Sequence, residues 1–297
     1  EGSYLKQEKG DKPWMVESLN FGGLPTTQVT KYGLKKQVTI TGPDFWGRPS
    51  WITFKPANSS GWLWKSPDYI VQISTDIMQL RFHRVALSNG YSELECFEHI
   101  GVLRWLGLNG VMIESCQSPP YFGRPLELWQ EIKPNLVEIG KFDWSFPKEE
   151  NTAAFQRGTE SAFTKIQPNL PDQNGLNVDI LCKFDNIGCE AIDFSSPGDE
   201  RKLEVACEAY ALGRPSWVYW VSKLASLIWW PHHGHVAWVQ EHSKDEMMWM
   251  IVQHRLVDLL GVLAFAHPTK LLAGRVNSYM GGHRSDVEAV KILNKTT

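Results

Sequence analysis

Alternation of apolar and polar residues predicts β-strands in both halves of the chain. In the first half, residues 37–41 and 50–54 alternate on either side of a turn-rich stretch, and a further strand runs through Trp64. In the second half the same pattern occurs at 176–180 and 236–239. Each half is therefore expected to contain a sheet.

The longest apolar run predicts a buried helix. Residues 247–266 read MMWMIVQHRLVDLLGVLAFA, which is long enough for a helix and too apolar to lie on a surface. A helical stretch at 201–211 and a Trp-rich segment at 216–230 precede it. This part of the chain is expected to supply much of the core.

A second helix is predicted in the first half from its start and stop signals. Ser92-x-x-Glu95 has the pattern of a capping box, which would begin a helix running through about Leu106. Gly107 would end that helix, and a strand at 111–114 would follow.

These elements favour an α+β fold. Strands, helix, strands and helix in succession indicate a two-domain β/α sandwich, in which each domain is a sheet with helices packed on one face and the helices of the two domains face each other. We expect an N-terminal extension at 1–32, a first domain at 33–140 and a second domain at 141–297. The Pro-, Asn- and acid-rich segment 134–175 is interpreted as the change of domain.

Polar side chains interrupt both predicted helices on faces that point to the core. His254 and Asp258 are four residues apart and share one face of the long helix, while His99 lies on the apolar stripe of the shorter helix, next to Glu98. A buried carboxylate needs a cation. Two His and one Asp from two helices would hold a catalytic zinc with one open position and leave Glu98 free to act as a base. The alternative is a structural hydrogen bond between His254 and Asp258.

Composition excludes some classes of protein and leaves others open. The chain has 297 residues, 42% of them apolar, and a net charge of -3 without a run of Lys or Arg, which argues against nucleic acid as a principal partner. The five cysteines show no CxxC spacing, so a reducing, cytoplasmic location is predicted without a disulfide framework. No stretch predicts a membrane span. The oligomeric state stays open.

Four motifs occur in an order that resembles a known enzyme family. They are Lys55-Pro56-Ala57-Asn58-Ser59-Ser60-Gly61, Glu98-His99-Ile100 followed by Leu106-Gly107-Leu108-Asn109-Gly110-Val111, His254-Arg255-x-x-Asp258-x-x-Gly261, and Gly282-His283. Over residues 33–297 the chain resembles the zinc-dependent UDP-3-O-acyl-N-acetylglucosamine deacetylases of lipid A synthesis.

The resemblance implies a zinc amidohydrolase that removes an acetyl group from an acylated UDP-N-acetylglucosamine. It implies His99, His254 and Asp258 as the zinc ligands. Glu98 would be the general base, and His283 would be the acid that protonates the departing amine. The resemblance also implies roles for Ser216 beside the oxyanion, Arg255 and Phe184 at the nucleotide, and Trp217 and Trp220 at the acyl chain.

Three positions depart from the family pattern. Val262 replaces a carboxylate that orients the acid histidine, Met280 replaces a lysine near the substrate phosphates, and Trp46 or Gly47 stands where the family has an early histidine. These differences favour an alternative: a divergent member of the same fold that acts on or binds another ligand, with altered or no deacetylase activity.

The tryptophans and a second histidine group allow other interpretations. The cluster of Trp217, Trp220, Trp229, Trp230 and Trp238 could line an acyl-chain passage or form core or an oligomer contact. The histidines within 231–235 are less suited to a metal, because adjacent histidines in a turn usually point in different directions.

Overall fold

The computed structural model describes residues 28–81, 84–121, 124–157, 160–169, 175–184, 187–213, 216–228 and 236–296. The strands in these ranges are β1 (Thr30–Leu34), β2 (Val38–Pro43), β3 (Pro49–Pro56), β4 (Leu63–Lys65), β5 (Ile70–Gln72), β6 (Met78–Arg81), β7 (Arg84–Ser88), β8 (Glu93–Leu94), β9 (Val111–Ser115), β10 (Leu136–Lys141), β11 (Trp144–Ser145), β12 (Asn151–Arg157), β13 (Glu160–Gln167), β14 (Leu176–Phe184), β15 (Gly188–Ser196), β16 (Ala211–Gly213), β17 (Val236–Trp238), β18 (Leu271–Leu272) and β19 (Gly274–Tyr279). The helices are α1 (Phe97–Gly101), α2 (Pro125–Ile132), α3 (Glu200–Ala206), α4 (Ser216–Ser226), α5 (Lys244–Leu263) and α6 (His283–Thr296).

Two five-stranded sheets share one topology. The first has the order β2-β3-β9-β4-β5 and the second has the order β12-β13-β19-β14-β15. In each sheet the last strand of the unit lies between two hairpins, parallel to one neighbour and antiparallel to the other. One helix precedes that strand and another follows it, α1 and α2 in the first unit and α5 and α6 in the second. The fold is therefore mixed α+β, as predicted, and is compatible with a two-domain sandwich.

The strands predicted from alternation are confirmed. Residues 37–41, 50–54 and 111–114 overlap β2, β3 and β9, while 176–180 and 236–239 overlap β14 and β17. Along β14, buried and half-buried side chains alternate up to Cys182. The alternation arises because α5 contacts this strand and covers one face.

The polar segment 134–175 contains the start of the second sheet. Strands β12 and β13 pair in register from Asn151 with Ile166 to Arg157 with Glu160. Strand β12 is at the edge of its sheet, so it has a neighbouring strand on one side only. Its polar residues fit that position, which is why composition alone does not reveal the strand.

The capping box predicted at Ser92 does not begin a helix. Strand β8 occupies that segment instead, and Cys96 follows it with a φ of 54°, a left-handed conformation that separates the strand from α1. The carboxylate of Glu95 accepts a hydrogen bond from Ser118 Oγ at 2.7 Å. Helix α1 is consequently short and continues as a 3₁₀ turn. Gly107, with a φ of 102°, lies just beyond this turn, as predicted.

The long apolar run forms α5, although the helix begins and ends three residues earlier than predicted. Its capping box is formed by Ser243 and Glu246: the Ser243 hydroxyl accepts from the Glu246 amide at 3.3 Å, and the Glu246 carboxylate accepts from the Ser243 amide at 2.8 Å. The helix is largely buried because it contacts α1, β14 and β15. None of the helices in the described ranges combines the length and the apolar character needed to cross a membrane.

Arg104 joins the two units through main-chain carbonyl groups. It is fully buried in the turn after α1. Its guanidinium donates hydrogen bonds to three carbonyl oxygens that follow α5, those of Ala264 (2.7 Å), His267 (3.1 Å) and Lys270 (3.2 Å). The ring of Phe265 lies 4.8 Å from the guanidinium, in a cation–π contact. The chain leaving α5 is thereby held against the first unit.

Candidate metal centre

Helices α1 and α5 cross at two glycines, and the crossing brings the predicted ligands together. A Cβ on Gly101 would lie 2.5 Å from the carbonyl oxygen of Gly261, and a Cβ on Gly261 would overlap the carbonyl of Glu98. The main chains can approach this closely because neither glycine has a side chain. Across the contact, His99 and His254 face each other with ring centroids 4.9 Å apart.

His99, His254 and Asp258 form one group of potential ligands. The Nε2 atoms of His99 and His254 lie 3.6 and 3.5 Å from Asp258 Oδ1, and all three donor atoms are within 4.8 Å of one another. Ligand atoms about 2.0–2.2 Å from a tetrahedral zinc are themselves separated by roughly 3.3 Å. Asp258 Oδ1 is buried and has no hydrogen-bond partner among the described residues. The donor types, their spacing and this unpartnered oxygen therefore fit a divalent cation.

A main-chain carbonyl orients His254. Its Nδ1 lies 3.2 Å from the carbonyl oxygen of Ala209, which can only accept a hydrogen bond, so Nδ1 carries the proton and the lone pair of Nε2 points towards Asp258. Burial lowers the pKa of His254 from 6.5 to about 4. The imidazole is thus neutral near pH 7, as a metal ligand must be.

The second carboxylate oxygen of Asp258 faces His283. His283 Nε2 lies 3.8 Å from Asp258 Oδ2 and 4.0 Å from Glu98 Oε1, which makes Glu98, Asp258 and His283 a second close group. Burial alone would raise the pKa of Asp258, but the neighbouring His254, His283 and His99 hold it well below its usual range. Asp258 is therefore shared between the two groups and stays ionised.

Glu98 is buried and held by one main-chain donor. Its Oε2 accepts a hydrogen bond from the amide of Val85 in β7 at 2.9 Å. Burial raises the pKa of Glu98 above its ordinary value, and the nearby His283 and His99 oppose that rise. A carboxylate with a raised pKa is a stronger base than an exposed one, which suits proton transfer near neutral pH.

A narrow apolar cleft opens beside His99. Its lining includes Phe45, Cys96, Tyr121 and Leu128. Burial raises the pKa of Tyr121, and Cys96, Glu98 and Asp258 add to that rise, so the phenol stays protonated near the carboxylates. Nothing in the local sequence Pro119-Pro120-Tyr121 indicates that the side chain of Tyr121 lies beside His99 in α1.

The guanidinium of Arg255 forms hydrogen bonds with residues inside the protein. The side chain is buried, and its guanidinium donates to Asp286 Oδ1 (2.5 Å), Ser278 Oγ (2.9 Å) and the Gly281 carbonyl (3.0 Å). Arg255, predicted at the nucleotide, is thus a buried guanidinium paired with a carboxylate in this structure.

The other predicted substrate residues lie on separate elements. Phe184 ends β14 and is partly buried against the core. Trp220 is 62% exposed on α4. Ser216 and Trp217 begin α4, but their side chains lie outside the described part of the structure, as do Trp229, Trp230 and residues 231–235.

Helix α4 divides the predicted aromatic cluster. Its outer face exposes a stripe of apolar side chains, Trp220, Val221, Leu224, Leu227 and Ile228, the last two just beyond the helix end. On the inner side Tyr219 is buried, and its ring contacts Trp238 with centroids 5.7 Å apart. Trp238 is thus a core residue.

The three residues that depart from the family pattern lie in a helix and in two turns. Val262 is fully buried in α5 and brings no charge to the cluster. Met280 has a φ of 48° in the turn before α6. Trp46 is 51% exposed in the turn between β2 and β3, where its amide bonds Asp44.

No protein-family model matches the chain, and no curated protein matches it with significant similarity. A functional assignment therefore depends on the geometry of the cluster and on the motifs quoted above.

Proposed function

We propose that the protein is a zinc-dependent amidohydrolase that removes the acetyl group from an acylated UDP-N-acetylglucosamine. One observation carries the proposal: the donor atoms of His99, His254 and Asp258 converge within 4.8 Å, and His283 lies 3.8 Å from the other carboxylate oxygen of Asp258 and 4.0 Å from Glu98. Two close groups that share one carboxylate can combine metal binding with proton transfer. The motif resemblance adds the substrate class.

His99, His254 and Asp258 would hold the ion. When bound, zinc supplies a Lewis acid that lowers the pKa of water to about 7 and polarises an amide carbonyl. Two neutral imidazoles and one carboxylate leave a net positive charge at the centre. That charge favours a developing oxyanion, and the apolar lining beside His99 strengthens the effect.

Glu98 and His283 would move the protons. Glu98 takes a proton from the attacking water as the oxygen bonds to the amide carbon, and its raised pKa makes it able to do so. His283, 4.0 Å away, gives a proton to the nitrogen as the carbon–nitrogen bond breaks. One water is consumed, and acetate and a free amine are released.

A second candidate function is favoured by the surroundings of Arg255. Its guanidinium is bonded to Asp286, and Met280 replaces the other cation of the family pattern, so neither position presents a charge to a diphosphate. Hydrolysis or binding of an acylated amide without the UDP group would fit this site equally well.

The test is acetate release by purified, zinc-loaded protein from the UDP sugar and from an acylated N-acetylglucosamine without the nucleotide. Glu98→Gln should retain zinc and lose turnover by about 10²- to 10⁴-fold. Glu114→Gln is the matched control, since this carboxylate pairs with Lys55 and Lys65. Hydrolysis of the simpler sugar alone would favour the second candidate. A protein that binds no zinc and hydrolyses neither would refute the proposal.

A further inference from the structure

A buried polar network lies behind His283, at the junction of β13, β19, α5 and α6. Its members are Thr164, Arg255, Ser278, Ser285 and Asp286, none of which exceeds 7% exposure. Asp286 Oδ1 accepts from Arg255 at 2.5 Å and from Thr164 at 2.7 Å, and Thr164 also bonds Ser285 Oγ at 2.9 Å. The network therefore connects the helix of the metal ligands with the helix that begins at His283.

The network forms hydrogen bonds with both residues of the turn that leads into α6, Gly281 and Gly282. At one end, Arg255 Nε donates to the carbonyl of Gly281 at 3.0 Å. At the other, Ser285 Oγ accepts from the Gly282 amide at 3.1 Å and donates to the Gly282 carbonyl at 2.9 Å. A Cβ on Gly281 would lie 2.4 Å from Ser278 Oγ and 2.9 Å from Thr164 Oγ1, so a side chain there would displace members of the network.

No hydrogen bond to Nδ1 orients the imidazole of His283 among the described residues. Its Nδ1 is buried and without a hydrogen bond among the described residues. The position of its imidazole is consequently set by the backbone of the turn and the start of α6.

The Arg255–Asp286 pair is poorly explained as a device for stability alone. Arg255 Nη1 and Asp286 Oδ2 are buried without partners among the described residues. Buried ion pairs with incomplete hydrogen bonding recover little of their desolvation cost, whereas in some proteins they fix a defined geometry. A fixed arrangement of the preceding turn is what His283 requires, because its imidazole is positioned through the backbone.

We propose that the Arg255–Asp286 ion pair positions the imidazole of His283 by clamping the turn that precedes it. Arg255 and Asp286 are positioning residues in this scheme, since neither contacts the reacting atoms. The pair holds α6 against α5, and so keeps His283 Nε2 near Glu98 and Asp258. The consequence for turnover rests on the proposed function, whereas the structural claim does not.

The kinetic test is a double-mutant cycle between Asp286→Asn and His283→Ala. Asp286→Asn should lower kcat by about 10- to 100-fold with little change in KM or zinc content, because a displacement of about 1 Å can have this effect. In the His283→Ala background the same substitution should change kcat less than about 3-fold. An equal loss in both backgrounds would overturn the proposal.

Arg104→Lys is the matched control for loss of a buried guanidinium. Its effect on kcat should be the same with and without His283, because Arg104 bonds carbonyls beyond α5. Arg255→Lys repeats the test in case the Asp286 variant does not fold, since it keeps the charge and loses the bond to Gly281.

A second readout does not depend on turnover. In protein with ¹⁵N-labelled histidine, the His283 ring signal, assigned by its loss in His283→Ala, should broaden or split in Asp286→Asn and in Arg255→Lys. The signal of His267, whose Nδ1 accepts from the amides of Thr269 and Lys270, should not change. A sharp, unshifted His283 signal in both variants would refute the positioning role. Absence of acetate release by the wild type, with the signal change present, would refute only the proposed function.

Discussion

Gly261 of α5 lies directly against the backbone carbonyl of Glu98 in α1, so the two helices that carry the cluster touch main chain to main chain. A Cβ at Gly261 would lie 2.7 Å from the carbonyl carbon of Glu98 and would overlap its oxygen. The contact is backbone, so no side chain can move aside to relieve it. The spacing between the ligands on the two helices thus depends on the absence of a side chain at Gly261.

Gly261→Ala should therefore destabilise the protein and damage the site together. Forcing the helices apart should lower the free energy of unfolding by about 1–3 kcal/mol. It should also weaken zinc binding, because His99 moves away from Asp258. Urea denaturation and zinc titration check both effects. Gly42→Ala is the control: its Cβ would meet only Pro120 at an ordinary 3.5 Å, and it should change stability by less than about 0.5 kcal/mol.

Zinc should stabilise the folded protein through the three-residue group. At free zinc 100 times the dissociation constant, the free energy of unfolding should rise by about 2.7 kcal/mol relative to chelator-treated protein. His99→Ala should remove this increase, because one of the three donors is lost. His242→Ala, an exposed histidine before α5, should retain it. Zinc-dependent stabilisation that survives His99→Ala would place the ion elsewhere.

The metal-free protein should lose stability as the pH falls from 7 to 5. His254 has a pKa of about 4 when folded against 6.5 as the reference, so the unfolded chain binds the proton first and is favoured as the pH drops. Over this interval the contribution is about 2 kcal/mol. Asp258 contributes little over this interval, since its folded pKa is held well below the ordinary 3.8 and both values lie below pH 5. The raised pKa of Glu98 opposes the trend, so the contribution of His254 is isolated by substitution.

His254→Gln tests this prediction, because glutamine does not titrate. Urea denaturation of chelator-treated protein at pH 7 and pH 5 should show a smaller difference for His254→Gln than for the wild type. His242→Gln should behave as the wild type does. An unchanged pH dependence in the His254 variant would contradict the assignment.

Arg104→Met should lower stability without touching the cluster. Three carbonyls beyond α5 would lose a buried donor, at about 1–3 kcal/mol each, and part of this is offset because a guanidinium is no longer buried. We expect a net loss of about 2–4 kcal/mol in chemical denaturation. Arg48→Met, at a side chain 65% exposed and paired with Asp44, should cost less than about 1 kcal/mol.

The parts of the fold and site that could be predicted follow from local periodicity. His254 and Asp258 lie on one face of α5 because a helix places residues four apart side by side, and the apolar run around them indicates burial. His99 is grouped with that face because it lies on the apolar stripe of its own predicted helix, and the motif resemblance selects the same three residues. Alternation likewise revealed the strands whose one face is covered.

The remaining features depend on contacts distant in sequence. Ser92-x-x-Glu95 has the letters of a capping box, but pairing of β8 with β7 and the left-handed Cys96 take precedence there. Arg255 keeps the positive charge expected of a residue at the nucleotide, yet its guanidinium pairs with Asp286, which lies 31 residues later in the chain. Local sequence does not show which distant residue or strand will pair with Arg255 or with the segment after Ser92.

The repeated sheet topology also bears on biosynthesis. A ribosome releases Glu98 and His99 long before it releases His283 at the start of α6, so the emerging first unit carries a helix whose inner side has nothing to cover it. That bare surface is where a chaperone would be expected to engage a nascent polypeptide. The group of His99, His254 and Asp258 can then form only after α5 has been synthesised and has packed against α1.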